Sequence, residues 1–151
     1  MPDFELSFME MAITEAEAAA ARGEVPVGAV VVNAAGEVLA CAGNRVEELC
    51  DPTAHAEVLA LRAAGQRLGS PRLPGVDLYV TLEPCTLCAG AISFARVRRV
   101  IFGAHDPKGG AVEHGARFFT LPTCHHRPEI VGGVEEARCG DLLRAFFKAR
   151  R

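Results

Sequence analysis

The sequence predicts an α/β protein, with helices on both faces of a mixed central sheet of about five strands in a three-layer α-β-α arrangement. Two observations carry the prediction. Segments with apolar residues at helical spacing alternate with short apolar runs of strand length, in the order α-β-β-α-β-α-β-β-α. Turn chemistry punctuates each change of pattern, and no linker or repeat divides the chain. Its 151 residues therefore read as one domain, 1–151.

Phe4, Phe8, Met11 and Ala12 fall at helical spacing, the alanine-rich stretch from Ala16 to Ala21 favours a helix, and Gly23 is the expected stop. Residues 27–32 read as a buried strand. Asn33-Ala34-Ala35-Gly36 turns the chain, and 37–42 returns as the second arm of a hairpin. Thr53 is the expected cap of a helix running to about residue 68, with Val58, Leu61 and Leu68 on its inner side. Pro71 and Pro74-Gly75 break that helix before a strand at 76–81. Glu83-Pro84 then opens a third helix, whose Cys88, Ala91, Ile92 and Ala95 recur at i, i+3, i+4 and i+7. A strand follows at 97–102. Residues 103–127 are rich in Gly, Pro and His, 130–134 is a last short strand, and Leu142, Leu143, Phe146 and Phe147 supply the apolar face of a C-terminal helix.

Half of the residues are apolar and 23% are charged, the balance of a folded domain rather than a disordered chain. No apolar run approaches the roughly 20 residues that cross a bilayer. The acidic start, Met1-Pro2-Asp3-Phe4-Glu5, leads into no signal-peptide core. The expectation is a cytoplasmic protein with no membrane partner. There, six cysteines read as ligands and free thiols rather than three disulfides. Most of Cys41, Cys50, Cys124 and Cys139 are expected to be small apolar fillers.

The net charge of −3 argues against a general nucleic-acid coat, but it is unevenly spread. Asp3, Glu5, Glu10, Glu15, Glu17 and Glu24 crowd the opening segment, and Arg138, Arg144, Lys148, Arg150 and Arg151 the closing one. The closing cluster is either a local surface for phosphates or the end of a helix that Glu135 and Glu136 open, complementing its dipole.

Two short segments carry chemistry: His55-Ala56-Glu57 and Pro84-Cys85-Thr86-Leu87-Cys88, each just inside an expected helix N-terminus. Cys85 and Cys88, three apart, share one face of a helical turn, where the helix dipole favours thiolates. His55 would complete a Cys₂His set for one zinc ion and leave a fourth position open for water, whose pKa the metal lowers from 15.7 to about 7. Glu57 is the carboxylate that would then move the proton. Residues two apart on a regular helix point roughly 200° apart, so His55 and Glu57 face one site only if His55 lies in an irregular cap turn. Taken alone, Cys-x-x-Cys also suits a redox motif or half of a structural zinc site. His-x-Glu followed by Pro-Cys-x-x-Cys is the combination used by zinc-dependent nucleobase deaminases.

Around that combination the chain resembles the bacterial tRNA-specific adenosine deaminases of the cytidine-deaminase superfamily. The matching stretches are Glu24-Val25-Pro26-Val27-Gly28-Ala29-Val30, Gly43-Asn44-Arg45, Asp51-Pro52-Thr53-Ala54-His55-Ala56-Glu57 and Leu78-Tyr79-Val80-Thr81-Leu82-Glu83-Pro84-Cys85, with Phe102-Gly103-Ala104 and the closing Phe146-Phe147-Lys148-Ala149-Arg150-Arg151. The resemblance implies a cytidine-deaminase-like fold. It implies zinc, one ion per subunit, on His55, Cys85 and Cys88, with Glu57 as catalytic proton shuttle. Asn44 and Val27 would contact the flipped nucleoside, with Ala56 and Pro84 beside it. Asp106, Lys108, Arg127, Arg144, Lys148 and Arg150 are the RNA-contact candidates, and Arg96, Arg98 and Arg151 are further basic residues of that kind. The implied activity is adenosine-to-inosine conversion at the wobble position of a tRNA, an arginine tRNA anticodon loop, by a homodimer. Two alternatives stay open: deamination of a free base or nucleotide by the same chemistry, and a non-catalytic zinc-stabilised RNA-binding module. The chain departs from the family at Leu87, where methionine is common, and at His125-His126-Arg127, where Asn-His-Arg is common.

Overall fold

The computed structural model describes residues 2–150, with side chains from Leu6 onward, so Phe4 and Arg151 lie outside the described side chains. In chain order the elements are α1 (Pro2–Ala21), β1 (Gly28–Val32), β2 (Val38–Gly43), α2 (Ala56–Leu68), β3 (Asp77–Leu82), α3 (Thr86–Ala95), β4 (Arg99–Ala104), β5 (Glu129–Val131) and α4 (Glu136–Lys148). The strands form one mixed sheet in the order β2-β1-β3-β4-β5. β1 runs antiparallel to both β2 and β3, whereas β3, β4 and β5 are parallel. This is the expected α/β sheet of five strands.

The period-two alternation of a strand explains the three layers. Ala29, Val31, Leu78, Val80, Val100 and Phe102 face α2 and α3, packing on Ala60, Leu61, Ala64, Ala89 and Ile92. Val30, Val32, Tyr79 and Ile101 face the other way, against Met9, Ala12 and Ile13 of α1 and Cys139 of α4. The helix α1 lies directly on the backbone of β1: a Cβ at Gly28 would overlap the Ala12 carbonyl oxygen. Asn33 closes the β1–β2 turn by accepting the N–H groups of Ala35 (3.0 Å) and Glu37 (2.9 Å) on Oδ1, with Gly36 at φ 84°. No helix of the described residues is long and apolar enough to cross a membrane.

Several expectations about element starts are corrected. Thr53 does not cap α2: its N–H and hydroxyl both turn back to Asp51 Oδ1 (2.8 and 2.7 Å), and His55 is the N-cap. The inner face of α2 is Ala56, Glu57, Ala60, Leu61 and Ala64, while Leu68, the last residue of the helix before its Gly69 C-cap, is exposed. Glu83-Pro84 likewise precedes α3, whose N-cap is Cys85. All six thiols are free; Cys124 and Cys139 are buried fillers, but Cys41 and Cys50 are exposed. Phe147 is also exposed, α4 burying Cys139, Gly140 and Phe146 instead.

Candidate metal centre and substrate cleft

Register decides which residues can meet. Gly28 pairs with Gly43, and Ala29 pairs with Val80, so the start of β1 and the ends of β2 and β3 share one end of the sheet. The end of β4 joins them, since Leu82 pairs with Ala104. Val27, Asn44, Glu83-Pro84-Cys85 and His105-Asp106 therefore all emerge there, and α2 begins beside them.

The helix starts bring the metal-type donors together. His55 is extended (φ −72°, ψ 151°) and Cys85 is extended (φ −77°, ψ 179°), each as an N-cap. The extended backbone of His55 removes the obstacle posed by its spacing from Glu57, which lies on the regular helix and points into the same cleft. His55 Nδ1 stands 3.6 Å from Cys85 Sγ and 3.3 Å from Cys88 Sγ, and the three donor atoms lie within 4.8 Å of one another. Tetrahedral zinc would hold such a nitrogen and sulfur about 3.6 Å apart, so the set fits that ion. Two helix N-termini add their partial positive charge to the same spot.

The electrostatics match a cation-binding pair of thiols. Hydrogen bonding from Cys88 and then His55 holds the Cys85 thiol down to about 4. Cys88, hydrogen-bonded to Cys85 and fully buried, is pushed up; a dication among these atoms makes both sulfurs thiolates. The bond to Cys85 raises His55. Burial pushes the Glu57 carboxyl up to about 7, with the Cys85 charge acting in the same direction.

The cleft around this centre measures about 600 Å³, within the range of pockets that engulf a small ligand. Val27, Asn44, Ala56, Glu57 and Asp106 line it, and Arg150 stands at its edge. Asn44 Oδ1 is buried there without a hydrogen-bond partner among the described residues. Pro84 is buried and lines none of the cleft; its carbonyl accepts the Ala111 N–H (2.9 Å). Lys108, Arg144, Lys148 and Arg150 border a second, shallower groove together with Leu143 and Phe147. Arg150 belongs to both and lies 3.5 Å over the Phe146 ring. Arg127 is elsewhere, donating to the carbonyls of Phe119 (2.6 Å) and Leu121 (3.0 Å). Arg98 pairs with Asp77 at the opposite end of β3, and His126 donates to the Val97 carbonyl (2.6 Å).

Two site residues escaped the sequence reading. Glu83 is buried, and its carboxylate accepts the N–H groups of Asp106 (3.0 Å), Val112 (3.2 Å), Glu113 (2.9 Å) and His114 (3.1 Å), and bonds His114 Nδ1 (2.8 Å). Burial pushes its carboxyl up, but these donors together hold it below the ordinary value. Glu24, also buried, accepts the N–H groups of Glu47 (3.1 Å) and Glu48 (2.8 Å). Each glutamate staples a loop that walls the cleft. The signal was an acidic residue beside an apolar strand, which sequence alone assigns equally well to surface or helix start.

Comparison with known proteins adds the family. Residues 2–104 match the model of the cytidine and deoxycytidylate deaminase zinc-binding region. The tRNA-specific adenosine deaminase of Agrobacterium fabrum is 58% identical over 144 residues, 95% of this chain and 94% of that protein. The tRNA-specific adenosine deaminase of Bacillus subtilis is 47% identical over 145 residues, covering 95% and 89%. A solved structure from work on A-to-I editing by tRNA:A34 deaminases at the wobble position of transfer RNA superposes with a TM-score of 0.89 at 58% identity, over 91% of this chain and 99% of that one.

Proposed function

Because the chain belongs to the zinc-binding cytidine and deoxycytidylate deaminase family, and within it to the tRNA-specific adenosine deaminases, we propose that it hydrolyses adenosine to inosine at the wobble position of a tRNA anticodon loop. The observation that carries the reading is the buried, unpartnered Asn44 Oδ1, sharing one cleft with Glu57 and the His55–Cys85–Cys88 cluster. An acceptor held out of water without a donor costs stability, and a nucleoside N–H or O–H supplies that donor.

In this reading residues 1–151 act as one deaminase domain. His55, Cys85 and Cys88 hold zinc, which supplies the Lewis acid that lowers the pKa of a water toward about 7. Glu57 takes a proton from the attacking water and delivers it to N1 of adenine. It then takes the second proton from the hydroxyl now on C6 and passes it to the departing amine, so that ammonia leaves and inosine remains. Burial raises the Glu57 carboxyl, which favours its taking up a proton and handing it on. Val27 and Ala56 pack the base, and Pro84 acts from behind by fixing Ala111 and the loop above the cleft. An anticodon-loop base is unpaired, so turning it outward costs little. Lys108, Arg144, Lys148 and Arg150 contact phosphates along the groove that continues from the cleft, Asp106 faces the nucleotides at its mouth, and Arg127 contributes by bracing residues 119–121.

The reading extends to an arginine tRNA as substrate, to a cytoplasmic enzyme, and to a homodimer. Phe94, 79% exposed, and Leu87, 42% exposed, stand on the outer side of α3, an apolar face suited to a second copy.

The test is deamination by zinc-loaded protein of an arginine-tRNA anticodon stem-loop, with free adenosine, guanine and cytosine in parallel, and products identified by mass. Inosine in the stem-loop alone is the expected result. Turnover of a free base with an inert stem-loop would overturn the RNA substrate while leaving the zinc chemistry standing. Glu57→Gln is expected to keep its zinc and lose activity by about 10²–10⁴-fold.

A further inference from the structure

Away from the metal centre, one ion-pair cluster ties the two walls of the basic groove together. His105 directly follows β4. Its Nδ1 stands 2.6 Å from Glu136 Oε1 in the first turn of α4, and its Nε2 stands 2.8 Å from Glu113 Oε2 in the following loop. Ionised carboxylates only accept, so both ring nitrogens carry protons and the bridging ring is an imidazolium. Phe102 and His114 meet the ring edge-on, at 5.1 and 5.9 Å between centroids. His114 is itself engaged by Glu83. At the N-cap of α4, Glu135 pairs with Arg138 (3.5 Å), which also binds Glu10 of α1, so these charges are already matched.

The bridge joins the segments that carry the groove. His105 and Glu113 flank Asp106 and Lys108, and Glu136 precedes Arg144 and Lys148 on α4 by about 12 and 18 Å of helix axis. We infer that His105 is a positioning residue for the RNA: its doubly bonded ring keeps the loop and α4 in one register, so that Lys108 and the α4 cations act as one surface. This rests on the RNA reading of the groove. His105 does not line the cleft, so it acts through Lys108 and α4 and leaves the reacting base untouched. The bond to Glu136, then that to Glu113, keeps the imidazole's pKa above its ordinary 6.5, and losing the proton removes one of the two donors.

Wild type, His105→Gln, Glu136→Gln and His105→Arg, all zinc-loaded, would be compared for KM and kcat on the anticodon stem-loop between about pH 6 and about pH 9. Two partly exposed ion pairs together account for about a fivefold effect. KM is expected to rise by that factor in His105→Gln and Glu136→Gln, with kcat little changed. Wild-type KM should climb with pH, while His105→Arg, whose charge is fixed, stays low and flat. Amide exchange on the RNA-free holoenzyme should quicken at 106–115 and in the first turn of α4 in both glutamine variants, and recover in His105→Arg. Unchanged KM in both glutamine variants overturns the positioning role. If the wild type leaves the stem-loop unmodified while exchange follows this order, the RNA reading has failed and the bridge stands. Unchanged exchange removes the bridge itself.

Discussion

The two sides of the cleft are built by different forces. On the inner side, every reactive group sits within three residues of a helix start that rests on the sheet: His55 and Glu57 at α2, Cys85 and Cys88 at α3. Cys88 is fully buried and Glu57 is 4% exposed, so packing fixes their positions. The outer side, the 105–115 loop and α4, is anchored from beneath by Glu83 and by buried Ala111, Val112, Cys139 and Phe146. Its two segments, however, are tied to each other by ion pairs whose carboxylates are about half exposed, Glu113 (45%) and Glu136 (53%). Bonds of that kind are weak and screened by salt. Chemistry that needs donors placed to tenths of an ångström is assigned to the packed side. Recognition of a flexible charged ligand is left to the side that can adjust. Glu83 is the seam, buried like the inner groups but bonded to the outer loop.

The sharpest break of this contrast is on the inner side. Cys88→Ser should release zinc, measured by metal analysis, and lower activity on the order of a thousandfold, since the metal supplies the water activation. Retention of stoichiometric zinc would refute the assigned ligand set. At the seam, Glu83→Gln keeps the shape but puts an NH₂ among donors. Each buried group left unmatched costs about 1–3 kcal/mol, so urea unfolding should show a loss of about 3 kcal/mol. An equally stable variant would mean that the loop is held from outside.

Effects on the outer side should be smaller and graded by salt. Lys148→Ala or Arg144→Ala should weaken stem-loop binding by a few fold at low salt and reduce the slope of log K against log salt by about 0.7–0.9. Stem-loop binding with no salt dependence in the wild type would remove the groove from the interface. The smallest effect concerns pH. His105 is raised above its ordinary 6.5, chiefly by Glu136, so its stabilisation is complete below that value and fades as pH climbs through the folded pKa. Glu136 is lowered from 4.5 by His105, so its share is present above 4.5 and fades as pH falls through the folded pKa. The gap in melting temperature between wild type and His105→Gln should therefore be widest between pH 4.5 and 6.5. A gap that grows above pH 8 would contradict the bridge.

Much of this protein was legible in its residues one by one. The alternation of helical and strand-length apolar runs indicates the α/β sheet, because burying one face of each element leaves few arrangements. His55-Ala56-Glu57 and Pro84-Cys85-Thr86-Leu87-Cys88 point to a metal-type site because the donor chemistry lies within a few residues of local helix starts. The helices start later than Thr53 and Glu83-Pro84 indicate, at His55 and Cys85, because several polar residues in a row can each begin a helix and only packing on the sheet selects one. The roles of Glu24, Glu83 and His105 were hidden for a related reason: each acts on partners more than twenty residues away, such as Glu47, Asp106 and Glu136. Local sequence determined which elements form and which donors they carry. Tertiary structure alone decided that His55 turns toward Cys85 and Cys88, that Asn44 is left with an empty acceptor, and that the C-terminal cations line a groove beside them. Those choices depend on strand register and buried hydrogen bonds between distant segments, which no short stretch of sequence contains.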